Sequence, residues 1–202
     1  GGRRMTVVFD VGKVLIDWQP DLVLEPLMGG PAALAAFHAE VDFMAWHTEQ
    51  DRGRTVADAV AVARRDFPKH ADALAQVYDR WLDTIPGPVP GTHEILERLA
   101  ARGPVYAITN FPAHQWPKSV TAYPFLGLFT DVVVSGEVGL VKPDPAIFHL
   151  LFERNGMAAA DCVFVDDSPR NIAAAQAVGM DAIHFTDAPA LARALAERGI
   201  EA

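Results

Sequence analysis

The chain has 202 residues, half of them hydrophobic, which is enough to bury a core and suits one domain or one domain with an insertion. Its 17 basic and 26 acidic residues leave a net charge of −9, a surface that repels polyanions, so nucleic acid is excluded as an expected partner. No apolar run approaches the roughly 20 residues needed to span a bilayer, and the N-terminal GGRRM has no apolar signal segment, so no membrane partner and a cytoplasmic location are expected.

With GGRR before Met5 set aside, the first element is TVVFD (6–10), too short for a helix and rich in β-branched residues. It reads as a strand buried on both faces and ending at Asp10. From about Asp21 to Thr84 the patterns are helical (LAAFHAEVDFMAW, TVADAVAVARRDF, ADALAQVYDRWL), and Pro86, Pro88 and Pro90 mark the return. VYAIT (105–109), DVVVS (131–135), CVFVD (162–166) and DAIHF (181–185) supply four more buried strands. Helical patterns over His93–Ala101, Pro145–Arg154 and Ser168–Val178 run up to Gly103, Gly156 and Gly179, each a glycine stop. Cys162, the lone cysteine, lies in the apolar run CVFV and reads as a buried small hydrophobe in a reducing compartment.

Strand, helix, strand repeated in this way implies right-handed crossovers and a doubly wound parallel α/β sheet. The expected organisation is a core domain over 1–19 and 86–202, with an inserted all-helical cap over 20–85.

In open parallel sheets ligands bind beyond the carboxyl ends of the strands. Those ends carry Asp10, then Thr109 and Asn110, then a loop to Lys142, then Asp166 and Asp167. Three carboxylates and an amine suit Mg2+ and a phosphate: carboxylate oxygens are hard ligands, and lysine places a point charge on the same anion. Thr109 adds a hydroxyl, and backbone N–H groups over 110–113 form a candidate cradle near a helix start. Asp10 is the candidate nucleophile.

On these residues the chain resembles the haloacid dehalogenase-like (HAD) hydrolase superfamily over nearly its whole length. FDVGKVL is similar to the first motif of that family, ITN (108–110) to the second, GLVKPDP to the third, and VFVDDSPRNIAAAQAVG to the fourth. The resemblance implies a Rossmann-like core and a helical cap, as in the subclass that includes haloacid dehalogenases and many sugar-phosphate phosphatases. It also implies an aspartyl-phosphate on Asp10, formed from a small phosphorylated metabolite with Asp10, Lys142 and Thr109 as catalytic residues. Thr109, Asn110 and Lys142 would contact the substrate. Mg2+ would be held by Asp10, the Gly12 carbonyl and Asp167, with Asp166 in the first or second shell.

The departure is Gly12. Most family phosphatases resemble one another in having an aspartate there, which protonates the leaving alcohol; losing such a group typically costs ~10²–10⁴ in rate. Asp17, His47, His114 and substrate-assisted transfer are the replacements open at this stage. The same gap favours a dehalogenase, whose halide leaves without a proton, or a non-catalytic phosphate-binding protein. The adjacent acids Asp166 and Asp167 favour metal and phosphate.

The plainer readings are weaker in combination. A lone FD reads as a turn cap, Lys142 before Pro143 as an exposed lysine, and Asp166-Asp167-Ser168 as a helix N-cap. Asn171 would order the acids by hydrogen bonding. Trp18, Phe43, Trp46, Trp81 and Trp116 are core or pocket-lining aromatics, and His47, Arg52 and Arg54 are helix-end residues or substrate contacts. Lys13 is an oddity beside the nucleophile.

Overall fold

Five short apolar runs form the strands β1 (Thr6–Phe9), β2 (Tyr106–Thr109), β3 (Asp131–Val134), β4 (Cys162–Asp166) and β5 (Asp181–His184). All neighbours pair in parallel in the order β3-β2-β1-β4-β5, so the chain winds outward from β1 in both directions. This computed structural model describes residues 4–202; residues 1–3, where GGRR and the expected core domain begin, lie outside the described residues. Asp10, Ser135 and Phe185, expected at strand ends, lie one residue beyond them. Ser135 already opens a helix, and Asp10 and Phe185 leave the strands, although Asp10 N–H still donates to the Val165 carbonyl oxygen (2.8 Å) and Phe185 N–H to that of Asp166 (2.8 Å).

Between β1 and β2 the chain forms α1 (Asp21–Met28), α2 (Pro31–Glu40), α3 (Phe43–Asp51), α4 (Val56–Asp66) and α5 (Ala71–Asp79), then a 3-10 turn over Trp81–Thr84. The remaining helices are α6 (Thr92–Ala100), α7 (Gln115–Ala122), α8 (Ser135–Val138), α9 (Pro145–Asn155), α10 (Pro169–Ala177) and α11 (Ala188–Glu197). Gly156 (φ 61°) and Gly179 (φ 98°) follow α9 and α10 in the left-handed conformation that glycine takes without steric cost.

Strand alternation sends Val8, Ile108 and Phe164 to one face, where Ile147, Phe148 and Leu151 of α9 and Ala175 of α10 cover them. Val7, Phe9 and Val165 point to the other, against Leu96 of α6 and Leu191 and Leu195 of α11. That second cluster runs on without a break through Val14, Leu15 and Ile16 to Leu24, Phe37, Trp46 and Leu74 of the inserted helices. The insertion and the sheet therefore share one core.

The way out of the sheet and the way back are tied together. Ile16 bridges Pro88 in antiparallel fashion, Val89 N–H donates to Leu15 (2.9 Å), and Asp17 N–H donates to Gly87 (3.0 Å). Cys162 is fully buried, and burial pushes its thiol up to about 11. Among the described residues no single helix is long and apolar enough to cross a membrane.

Candidate active site

The carboxyl ends of β1, β2 and β4 bring Asp10, Thr109 and Asp166 to one sheet edge, and the loop after α8 carries Lys142 back to them. Lys142 Nζ is 2.7 Å from Asp10 Oδ1, 3.0 Å from Asp166 Oδ2 and 2.9 Å from the Ile108 carbonyl oxygen. All three of its N–H donors are thereby used within the chain. Asp10 Oδ1 also accepts the Val11 N–H (2.8 Å). One oxygen from each of Asp10, Asp166 and Asp167 lies within 4.8 Å of the others.

Three carboxylates around one ammonium leave an excess of negative charge in a buried place. Burial pushes the Asp10 carboxyl well above its ordinary range against the pull of Lys142, and the charges of Asp166 and Asp167 add to the rise. Burial also raises Asp167, with the Asp166 charge next in size. Asp166 goes the other way: burial opposes its ionisation, but Lys142, the Ser168 N–H and Asn171 hold it below the usual value. Burial likewise opposes charge on Lys142, yet Asp10 and Asp166 hold its ammonium above the ordinary lysine range.

The second and fourth motifs behave partly as expected. Asn171 Nδ2 donates to Asp166 Oδ2 (3.1 Å), the ordering role its position suggested. Ser168 makes no side-chain cap for α10; its own N–H goes to Asp166 Oδ1 (2.8 Å). Thr109 is buried, and its hydroxyl has no hydrogen-bond partner among the described residues. Such a group costs about 1–3 kcal/mol unless something outside the chain satisfies it. Asn110 uses its side chain on Lys142, donating to the carbonyl oxygen (3.1 Å) and accepting the N–H (2.8 Å).

The N–H cradle expected over 110–113 is narrower than that. Phe111 N–H donates to Ser135 Oγ (2.9 Å), Pro112 has no N–H, and Ala113 N packs against Gly136. The cause is the tight approach of α8 to this loop, leaving the Asn110 amide and the Thr109 hydroxyl as the candidate anion contacts.

A cavity of about 590 Å³ opens above these groups. Asp10, Gly12 and Lys142 are in its floor, and Trp18, His47, Asp51, Arg52 and Trp81 line its wall. Phe43, Trp46 and Trp116 are buried in the core, and Arg54 is spent on Gln50 Oε1 (2.7 Å) and the Trp46 carbonyl oxygen (2.8 Å). Lys13 lines the cavity with a left-handed backbone (φ 66°), rare for a residue with a Cβ. Gly12 is not in that region, and a Cβ built on it meets nothing within 4 Å.

The candidate replacements for the missing acid separate clearly. Asp17 accepts Trp18 N–H on Oδ1 (2.9 Å) and Gln19 Nε2 on Oδ2 (2.6 Å), and it is not part of the cavity lining. His114 is exposed and also outside that lining. His47 lines the cavity with Nδ1 bonded to Tyr78 Oη (2.7 Å), while Nε2 faces Asp51 Oδ1 at 3.3 Å without a hydrogen bond. Sequence reasoning missed Asp51; the His-x-x-x-Asp spacing, which puts both side chains on one helix face, was the available signal.

The arrangement recurs among known proteins. A family model described as haloacid dehalogenase-like hydrolase matches residues 5–179. A phosphoglycolate phosphatase of Xylella fastidiosa is 31% identical over 183 residues, covering 87% of this chain and 77% of that protein. A sesquiterpene phosphatase of Aspergillus oryzae is 35% identical over 94 residues, and there the match spans only 48% of the relative. A HAD family enzyme of Bacteroides thetaiotaomicron, solved with magnesium and inorganic phosphate, has the same fold at a TM-score of 0.73 and 21% identity, covering 91% of this chain and 95% of that one. A match over Met5 to Gly179, which takes in four of the five parallel strands and every residue of the site described above, has one meaning: the chain belongs to the haloacid dehalogenase-like hydrolase family.

Proposed function

We propose that the chain is a Mg2+-dependent phosphatase that hydrolyses a small phosphorylated metabolite, a sugar phosphate by class, through an aspartyl-phosphate on Asp10. The observation that carries this reading is the grouping of Asp10, Asp166 and Asp167, the first two of them bonded to the ammonium of Lys142. The donor set fits a divalent cation: three hard carboxylates outnumber the one buried positive charge. Asp10, Asp167 and the Gly12 carbonyl would hold the ion, with Asp166 at hand, and it would neutralise charge on the phosphoryl oxygens.

The chain's own residues then do the following. Lys142 and Val11 N–H orient the Asp10 carboxylate by binding Oδ1, so the side chain is held for in-line attack on phosphorus. The unpartnered Thr109 hydroxyl donates a hydrogen bond to a phosphoryl oxygen, and the Asn110 amide binds another. The Lys142 charge acts on the same oxygens across the floor of the cavity. Water then cleaves the aspartyl-phosphate and returns Asp10. The helices over 20–85 act as a cap that excludes bulk water and selects the leaving group. Support comes from the phosphatase names of two relatives and from the magnesium and phosphate in the solved neighbour. A cytoplasmic location belongs to the same reading and rests on the lone buried cysteine.

The test is turnover of p-nitrophenyl phosphate with and without Mg2+, in the intact protein and in Asp10→Asn, followed by a panel of metabolite phosphates. Metal-dependent turnover lost in Asp10→Asn supports the reading. Chloride release from 2-chloropropionate would replace it with a dehalogenase, and metal binding with no hydrolysis across the panel with a non-catalytic phosphate binder.

A further inference from the structure

Gly12 leaves the leaving alcohol without a proton donor, and the cavity wall holds one buried carboxylate that the mechanism above does not use. Asp51, on the last turn of α3, is 6% exposed and lines the same cavity as Asp10 and Gly12. Its Oδ1 makes no hydrogen bond within the described residues; the closest approach is that of His47 Nε2, one helical turn back at 3.3 Å. A buried carboxylate is costly unless something addresses it; Oδ1 itself is enclosed, and the side chain meets the cavity through its other atoms, with 9% of its surface exposed.

His47 is held for that purpose by a chain of side chains. Arg54 Nε, a pure donor, binds Gln50 Oε1 (2.7 Å), so Gln50 turns its Nε2 to Tyr78 Oη (2.8 Å). Tyr78, having accepted that bond, uses its own proton on His47 Nδ1 (2.7 Å). Burial keeps that hydroxyl protonated by pushing its ionisation up. With Nδ1 as the acceptor, the ring proton of His47 is assigned to Nε2, which faces Asp51. Stacking against Trp81 (6.2 Å between centroids, 14° between planes) and contact with Trp18 (4.7 Å) fix the plane of the ring.

Resting on the phosphatase reading, we propose that Asp51 is the acid–base group that Gly12 does not supply, and that His47 is its positioning residue. As an Asp10 oxygen bonds to phosphorus and the bond from phosphorus to the leaving oxygen breaks, the Asp51 carboxyl proton passes to that oxygen and the alcohol departs. The Asp51 carboxylate, with His47 Nε2 3.3 Å from its Oδ1, next takes a proton from the water that attacks phosphorus. The bond between phosphorus and Asp10 breaks, giving inorganic phosphate, a free Asp10 carboxylate and Asp51 protonated as at the start. The missing carboxyl of the first motif is thus replaced by a carboxyl from the inserted helices, reaching the leaving group from the opposite wall.

The test compares two substrates in Asp51→Asn. p-Nitrophenol leaves as a stabilised anion and needs little proton donation, whereas the alcohol of glycerol 2-phosphate needs it. The expected loss in kcat/KM is about 10²-fold or more on glycerol 2-phosphate and under about tenfold on p-nitrophenyl phosphate. His47→Gln shows the same pattern at smaller amplitude. Adding Gly12→Asp to Asp51→Asn recovers at least about tenfold of the glycerol 2-phosphate turnover by restoring general acid catalysis, since a Cβ at Gly12 meets nothing within 4 Å. Equal losses on the two substrates, or no loss on either, overturn the proposal. Retained p-nitrophenyl phosphate turnover shows that Asp51→Asn is folded. If it does not fold, His47→Gln decides by the same comparison: a larger loss on glycerol 2-phosphate than on p-nitrophenyl phosphate supports the proposal, and equal losses or none overturn it. Activity that survives Asp10→Asn, or an intact protein inactive on both substrates, instead overturns the phosphatase reading and this proposal with it.

Discussion

Asn110 holds Lys142 by both sides of its backbone: Nδ2 donates to the Lys142 carbonyl oxygen at 3.1 Å and Oδ1 accepts its N–H at 2.8 Å. The lysine that braces Asp10 is therefore aimed from the end of β2. Asn110→Ala removes both bonds, which together are worth about 1–3 kcal/mol, and lets the ammonium drift. A misplacement of about 1 Å can cost on the order of 10²-fold in rate. The expected result is a fall of about that size in kcat/KM with a modest stability loss, read by steady-state kinetics and urea denaturation. Asn110→Asp keeps the acceptor, loses the donor and adds a fourth negative charge, so it should be the more damaging of the two.

Lys142→Met removes the cation that is hydrogen-bonded to two buried carboxylates, Asp10 and Asp166. Leaving buried charge uncompensated costs about 3–5 kcal/mol. That loss is expected in EDTA, where nothing else neutralises the site. Magnesium at a hundred times its dissociation constant would return about 2.7 kcal/mol, so the variant should gain more than the parent protein from added Mg2+. Equal gains in melting temperature would show that the acids do not share the ion with the lysine.

The pH dependence of the metal-free protein follows from opposite shifts at two neighbours. Asp10 is raised, chiefly by burial, so the folded state keeps a proton that the unfolded chain has lost. Its contribution to stability is largest below the ordinary value of 3.8 and declines as pH rises through the raised folded value. Asp166 is lowered, so its contribution is present above 3.8 and is lost as pH falls through its own folded value. At pH 7 in EDTA the Asp10 carboxylate is a burden, and Asp10→Asn should melt at a higher temperature than the parent while losing all activity. A lower melting temperature would mean that the bond to Lys142 outweighs burial.

What could be read from the sequence, and what could not, divides by contact range. The strands were legible because each is an unbroken apolar run, as a strand buried on both faces must be, and their ends pointed at Asp10, Thr109 and Asp166 before any contact was known. The relationships that give those residues their tasks join distant parts of the chain. Asn110 and Lys142 are 32 positions apart, and His47 and Tyr78 are 31 apart on different helices. Nothing local signals either pairing. The Phe111 N–H looked available because its partner, Ser135, arrives from the end of another strand. His47 stood out as a titratable residue, yet only the packing of α3 against Tyr78 and Trp81 shows its Nδ1 taken by Tyr78 and its Nε2 turned one helical turn on, to Asp51.

Two glycines near the site should respond differently to a methyl group. A Cβ on Gly136 would stand 2.4 Å from Ala113 N and 2.8 Å from the Phe111 carbonyl oxygen, both backbone atoms, while a Cβ on Gly12 meets nothing within 4 Å. Gly136 N–H also donates to that same Phe111 oxygen at 3.1 Å, so α8 and the loop after β2 cannot separate without losing a bond. Gly136→Ala must push the loop that begins at Asn110, at a cost of about 1–3 kcal/mol for overpacking, and the displacement passes directly to the residue that aims Lys142. Gly12→Ala should change stability by no more than about 0.5 kcal/mol, the range of substitutions that disturb no packed feature. The expected outcome is a Gly136→Ala protein that melts early and has lost most of its kcat, beside a Gly12→Ala protein close to the parent in both. Were Gly136→Ala to retain full turnover, the loop between Asn110 and Ala113 would not be what sets the position of Lys142.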